Sequence, residues 1–245
     1  MKYETVSQPQ GELERTLSVA LLGVASGSHP QLPTYGNAVH WTAEIDNDTM
    51  LLVIHWPVSN QGVNTINMAL SATVCRPVTI VVHDKNENVS STNLAHPFVS
   101  WPCGEPFEAA LSSLADAILI PAAYEGRIGI DYVDYAAALK SNGKLSLFRV
   151  AHDDLQIALD TLLGQCAIAL ASTSERDTIC VHVSMPIEQY DLNWIDTIAA
   201  TIERSVPEQA TIYFALTTHK EAFFGICLFM VTNQTDLGCH HSFPI

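Results

Sequence analysis

The sequence predicts an α/β protein with a parallel sheet in its first half. Three continuous apolar runs carry that reading: Leu17 to Val24, Met50 to Trp56 and Pro77 to His83. Separated by helix-length segments, such runs mark strands covered on both faces. Beyond Gly143 shorter strands alternate with amphipathic helices, as in an α+β unit with one helix-covered sheet.

Taken in order, residues 1–16 are polar and form a loose lead-in. Leu17 to Val24 is a buried strand, ended by the turn-rich segment Ala25 to Gly36. After the strand Met50 to Trp56, closed by Pro57, Val63 to Thr73 has helical character, and Pro77 to His83 is the third strand. Asp84 to Gly104, rich in Asn, Ser and Pro, reads as a long loop. A central helix over 105–118 follows, with Pro106 near its start and Phe107, Ala110, Leu111, Leu114 and Ile118 at helical spacing. The second half supplies a strand at Lys144 to Val150 and a helix at Asp153 to Leu170 capped by Asp153 or Asp154. A strand at Thr178 to Ser184, a helix at Leu192 to Val206, and strands at Thr211 to Thr217 and Ile226 to Thr232 complete it. The chain divides near residue 127: 17–127 forms a first unit with the central helix, 128–235 a second, and 236–245 a tail.

Composition excludes several classes. Of 245 residues 48% are hydrophobic and 15% charged, as in compact globular proteins. The net charge of −15, with eleven scattered Lys and Arg, argues against nucleic acid and against anionic lipid as partners. No apolar stretch approaches the roughly 18–20 residues of a membrane span. The six cysteines at 75, 103, 166, 180, 227 and 239 are widely spaced in apolar contexts, which fits free thiols in a reducing, cytoplasmic setting.

Two segments carry chemistry. GIDYVDYAAALK, Gly129 to Lys140, sets Asp131 and Asp134 three residues apart at a helix start. By themselves such residues cap a helix and complement its dipole. Upstream, PVSNQGVN runs from Pro57 to Asn64 between a strand and a helix.

The local text resembles the FtsZ/tubulin-like superfamily. Met50 to Lys85 aligns without gaps with that family's strand, phosphate loop, helix and strand. DLQIALDTLLGQCAIALAS, Asp154 to Ser172, stands where the family has its ALD-type helix. Thr178 to Leu216 resembles its strand, loop, helix and strand ending in "NATVIFG", and GICLFMVT, Gly225 to Thr232, resembles its closing strand. The resemblance covers roughly residues 105–232 in order, spacing and type, and it implies a shortened Rossmann-like lobe, a central helix, and an α+β lobe with a four-stranded sheet.

It also implies a two-part site with one part dismantled. The family's GTP loop is a GGGTGTG run, because backbone N–H groups must approach phosphate closely. Ser59, Asn60, Gln61, Gly62, Val63, Asn64 and Thr65 stand there, with Gly62 the one glycine and Val63 β-branched. The first glycine-rich loop and the base-binding segment are also missing, with Gly23, Gly27 and Tyr35 to Val39 as remnants. In the family an NVDFADV-type loop polarises the water that attacks GTP held by the next subunit. Asp131 and Asp134 match its carboxylates, and Gly129 stands at its asparagine.

The reading is therefore an FtsZ-like protein that no longer binds GTP and needs no cofactor. It acts by self-assembly, or by association with FtsZ or a related filament, in cell division or the cytoskeleton. One alternative is a filament-forming GTPase with residual GTP or GDP binding; another is a small-molecule or metal-binding protein that uses the vacated cleft.

No metal site is expected, since neither H-x-x-H nor C-x-x-C occurs. His55, His83 and His182 read as satisfied core or sheet-end histidines, and Cys239-His240-His241 as part of a tail. Trp56-Pro57 and Trp101-Pro102 are expected to pack over the vacated pocket. The family's C-terminal peptide for membrane-tethering adaptors is not recognisable in DLGCHHSFPI.

Overall fold

A computed structural model describes residues 13, 15–23, 37–74, 76–87, 89, 93–124, 126–139, 143–174, 177–208 and 210–233. The expectations for Gly27, for Tyr35 and Gly36, for Cys239-His240-His241 and for the tail lie outside these residues.

Among the described residues nine strands form one sheet in the order β2-β1-β3-β4-β5-β6-β9-β7-β8. Strands β1 (Leu17–Leu22), β2 (Val39–Thr42), β3 (Leu51–His55), β4 (Val78–Asp84) and β5 (Val99–Cys103) are all parallel. Strand β6 (Gly143–His152) joins β5 through the single pair Ser100↔Lys144. The four strands expected in the second half then lie side by side: β6, β9 (Phe224–Asn233), β7 (Thr178–Pro186) and β8 (Thr211–His219). Strand β9 runs antiparallel to both β6 and β7.

Helices cover both faces, as expected for strands of near-continuous apolar sequence. On one face α1 (Asn60–Ala72) buries Val63, Ile66 and Leu70 against Leu52, Ile54 and Val81. On the same face α5 (Leu155–Ala171) and α6 (Leu192–Glu203) cover Val150, Ile179, Val181 and Val183. The opposite face carries the central helix and α4 (Tyr132–Leu139), packed on Val53, Ile80, Val82 and Trp101.

Three elements depart from expectation. The central helix does not span 105–118. It starts at Phe107 as α2 (Phe107–Leu114), passes through a π-helical turn (Ala115–Leu119), and ends as α3 (Ile120–Ala123). Pro121 reads as a breaker because it lacks an N–H and crowds the carbonyl four residues back. The π-turn, closed by the Ile120 N–H on the Ala115 carbonyl, widens the ladder just ahead of it. Strand β5 lies inside the expected loop Asp84 to Gly104. Strand β2, with exposed His40 and half-buried Trp41 and Thr42, has too little apolar pattern to announce itself.

The central helix is buried all round its second half, and one polar group goes with it. Asp116, 2% exposed, pairs with Arg149 of β6 at 2.7 Å. Its carbonyl receives the Nδ1–H of His182 (3.0 Å), so the opposite nitrogen accepts from the Thr217 hydroxyl (2.9 Å). This network pins the helix to β6, β7 and β8.

Candidate functional site at the two ends of strand three

Ser59 is the N-cap of α1, extended at φ −62 and ψ 154, and its hydroxyl accepts from the Gly62 N–H at 3.1 Å. Asn60, Gln61, Gly62, Asn64 and Thr65 are all helical, and the Thr65 hydroxyl bonds back to the Gln61 carbonyl. The stretch matching the phosphate loop is therefore no loop. Its cap hydroxyl already answers one of the free N–H groups a phosphate would seek.

Val58 occupies the neighbouring space. A side-chain carbon at Gly62 would lie 2.5 Å from its Cγ1, and one at Gly23 would lie 3.1 Å from its Cγ2. Gly23 itself has φ +83, and a side-chain carbon there would collide with the His55 carbonyl, so no other residue fits. His55 stacks on Phe107 with ring centroids 4.0 Å apart and planes 12° apart. Val58 and the His55–Phe107 stack thus lie at the carboxyl end of β3, on the side of the sheet ends where open α/β sheets usually hold ligands.

Trp56, joined to Pro57 by a cis peptide, packs at the edge of the α1 core. Trp101 does not cover this turn: it belongs to the central-helix core at 5% exposure.

The acidic segment is built differently. Ile128 bridges to Leu216 of β8, with the Leu216 N–H on the Ile128 carbonyl and the Arg127 N–H on the Leu216 carbonyl, both at 2.8 Å. A side-chain carbon at Gly126 would meet the Leu216 carbonyl at 2.7 Å, so the close approach requires glycine. Asp131 caps α4, its Oδ1 accepting from the Asp134 N–H at 3.0 Å. Asp134 lies in the first turn of that helix. Gly129 and Asp131 are exposed, and Val133 between the carboxylates is 63% exposed.

The Tyr132 hydroxyl donates to the Met50 carbonyl at the entry of β3. Burial pushes this phenol up to about 12, which keeps the donating proton in place. The acidic turn therefore sits at the start of β3 and the Ser59 turn beyond its end. Five strand residues separate them, about 16 Å. The fold keeps the two groups of site residues apart, and one copy of the chain cannot bring them together.

Of the histidines singled out in the sequence, His83 and His182 have both ring nitrogens bonded. His83 donates through Nδ1 to the Asp84 carbonyl and accepts at Nε2 from Ser100, both at 2.8 Å. Among the described residues no group of three or more His, Cys, Asp or Glu is placed to hold a metal ion, and no helix is long and apolar enough to cross a membrane. Cys103, Cys166, Cys180 and Cys227 are free and buried.

Sequence reasoning missed the cleft between β5 and β6. These strands part beyond Ser100↔Lys144, leaving a hollow of about 650 Å³ beside another of about 630 Å³. Its sequence signal was the Asn- and Ser-rich connection after β4, too short on apolar residues to be a covering helix.

Solved structures with this arrangement can now be compared. The empty FtsZ dimer of M. jannaschii superposes with a TM-score of 0.57, at 16% identity over 77% of this chain and 65% of that one. The fold is FtsZ/tubulin-like. TubZ of Bacillus thuringiensis serovar israelensis, in GDP-form protofilaments, gives 0.52 at 10% identity over 75% and 64%. CetZ2 of Haloferax volcanii, a GTPγS-bound protofilament, gives 0.51 at 11% over 78% and 66%. The chain thus spans just under two thirds of these FtsZ/tubulin-like structures. No protein-family model matches it, and no curated protein is similar to it in sequence.

Proposed function

We propose that the chain is a cytoskeletal assembly protein: an FtsZ-like subunit that forms filaments, or joins those of FtsZ or a related protein, without holding guanine nucleotide. A role in cell division and a cytoplasmic location accord with that reading. The observation that carries it is the contrast at the ends of β3. The turn matching the GTP loop is a helix start capped by its own Ser59 and crowded by Val58. The acidic turn is anchored to β8 yet presents Asp131 and Val133 to solvent. Such a turn can act only on another chain, as a contact or as the activating carboxylates of a partner that does hold GTP. The protofilaments of TubZ and CetZ2 support assembly as the shared use of this fold.

The test is sedimentation of the purified chain, alone and with a full-length FtsZ, together with the GTPase rate of the mixture. Asp131→Asn with Asp134→Asn should reduce pelleting or lower that rate. Unchanged pelleting and an unchanged rate in both settings would count against the proposal. Stoichiometric guanine nucleotide on the purified chain would favour a residual GTPase instead.

A further inference from the structure

In a parallel sheet the connection between neighbouring strands is usually a helix that covers one face. The β4–β5 connection, Lys85 to Phe98, has no helix among its described residues. Ser100 pairs in register with Val81, a residue of the α1 core, so Ser100 and Pro102 lie on the α1 face. Register with Lys144 puts Ser146 and Phe148 on that face too. Ser100, Pro102, Ser146 and Phe148 all keep partial exposure in mid-sheet. Among the described residues no helix covers the sheet between α1 and α5.

The two hollows occupy this gap and share three lining residues, Lys85, Pro102 and Lys144. One extends between the parted strands to Ser113 of α2 and Gln165 of α5. The other reaches Glu87 and His96 of the connection. No ion pair joins Lys85 or Lys144 to a carboxylate among the described residues. In a chain of net charge −15, two ammonium groups without an ion pair meet at one cleft, whose lining also carries Glu105 and Glu87. Lys85 is laid over Gly104, its Nζ 3.0 Å from where a side-chain carbon would stand.

The second hollow holds polar atoms that the protein leaves unanswered. Both ring nitrogens of His96 are buried without a hydrogen-bond partner, and so is Glu87 Oε2. Buried polar atoms of this kind normally have partners. A carboxylate oxygen asks for a donor, and an imidazole asks for one donor and one acceptor.

We propose that the β5–β6 cleft binds a small anion, a phosphate ester or carboxylate, that also carries hydroxyl or amino groups. Its charged group sits between Lys85 and Lys144, and its hydroxyl or amino groups satisfy Glu87 and His96. Hollows of this size suit a metabolite-sized molecule. None of Ser59 to Thr65 lines them, so the site is separate from the α1 turn.

Isothermal titration of the full chain tests it with glucose 6-phosphate, inorganic phosphate and uncharged glucose. Glucose 6-phosphate should bind saturably at one site, phosphate more weakly, and glucose not at all. Lys144→Gln, an exposed change that leaves the fold intact, should weaken glucose 6-phosphate binding several-fold, and Lys85→Gln with Lys144→Gln about tenfold or more. His96→Asn should weaken glucose 6-phosphate while leaving phosphate unchanged. Absence of saturable binding by both anions up to about 10 mM would overturn the proposal, as would affinities unchanged by the double lysine substitution.

Discussion

The two ends of β3 carry turns of nearly the same construction and opposite consequence. At one end Ser59 caps α1; at the other Asp131 caps α4, each side chain accepting from the N–H three residues on. Around Ser59, itself exposed, the space behind the turn is filled: Val58 lies against two glycines and His55 is stacked on Phe107. Around Asp131 the backbone is bridged to β8 and the Tyr132 hydroxyl is tied to Met50, while Gly129, Asp131 and Val133 are exposed. A capping residue alone therefore says nothing of function; its surroundings decide what it can offer to a partner.

The largest expected effect falls on the element joining both ends. Arg149→Met would strand the buried Asp116 carboxylate beside the central helix. A loss of about 3–5 kcal/mol in urea denaturation is expected, with both turns loosened together. If protection of one turn against hydrogen exchange survived, the two ends would be independent.

Acid should act through the same network. His182 is fully buried, and burial pushes it down from the usual 6.5 to about 4. Between those values the unfolded chain holds a proton that the folded chain refuses, so this contribution is complete above pH 6.5 and shrinks as pH falls toward 4. The expected loss is of the order of 3 kcal/mol, about 1.4 kcal/mol per pH unit. His182→Gln should flatten the stability profile over that window.

Gly126→Ala would drive a methyl group against the Leu216 carbonyl. It should cost about 1–3 kcal/mol and impair pelleting by displacing the acidic turn. The smallest change sharpens the comparison most. Ser59→Ala and Asp131→Ala should each cost about 1 kcal/mol in thermal or urea unfolding, yet only Asp131→Ala should alter assembly. Asp131→Asn should keep the cap and its stability while losing the charge, and equal effects of all three on pelleting would erase the distinction.

Legibility in the sequence followed burial. Strands β3 and β4 are short continuous apolar runs, and the four strands of the second half are bounded by turns and helix caps, so all stood out. Strand β5 was hidden because Pro102 interrupts it. Such a proline is tolerated where a strand lacks a neighbour, and beyond Ser100 the β6 side of β5 is a cleft. The π-turn left no mark because Pro121 imitates a helix end. Of the site, the spacing of Asp131 and Asp134 was readable, and so was the missing glycine run. That Val58 closes the turn, or that the two turns lie at opposite ends of one strand, depends on packing and register that no local pattern encodes. Lys85 and Lys144 lie far apart in the chain and meet only because β4, β5 and β6 are neighbours.

The most direct measurement is the guanine nucleotide content of the chain, purified natively, then denatured and its supernatant separated by ion-pair chromatography, with equilibrium dialysis against GTP beside it. The account predicts no GTP or GDP on the protein and no saturable uptake. One nucleotide per chain, lost on Ser59→Ala or Gly62→Val, would contradict it.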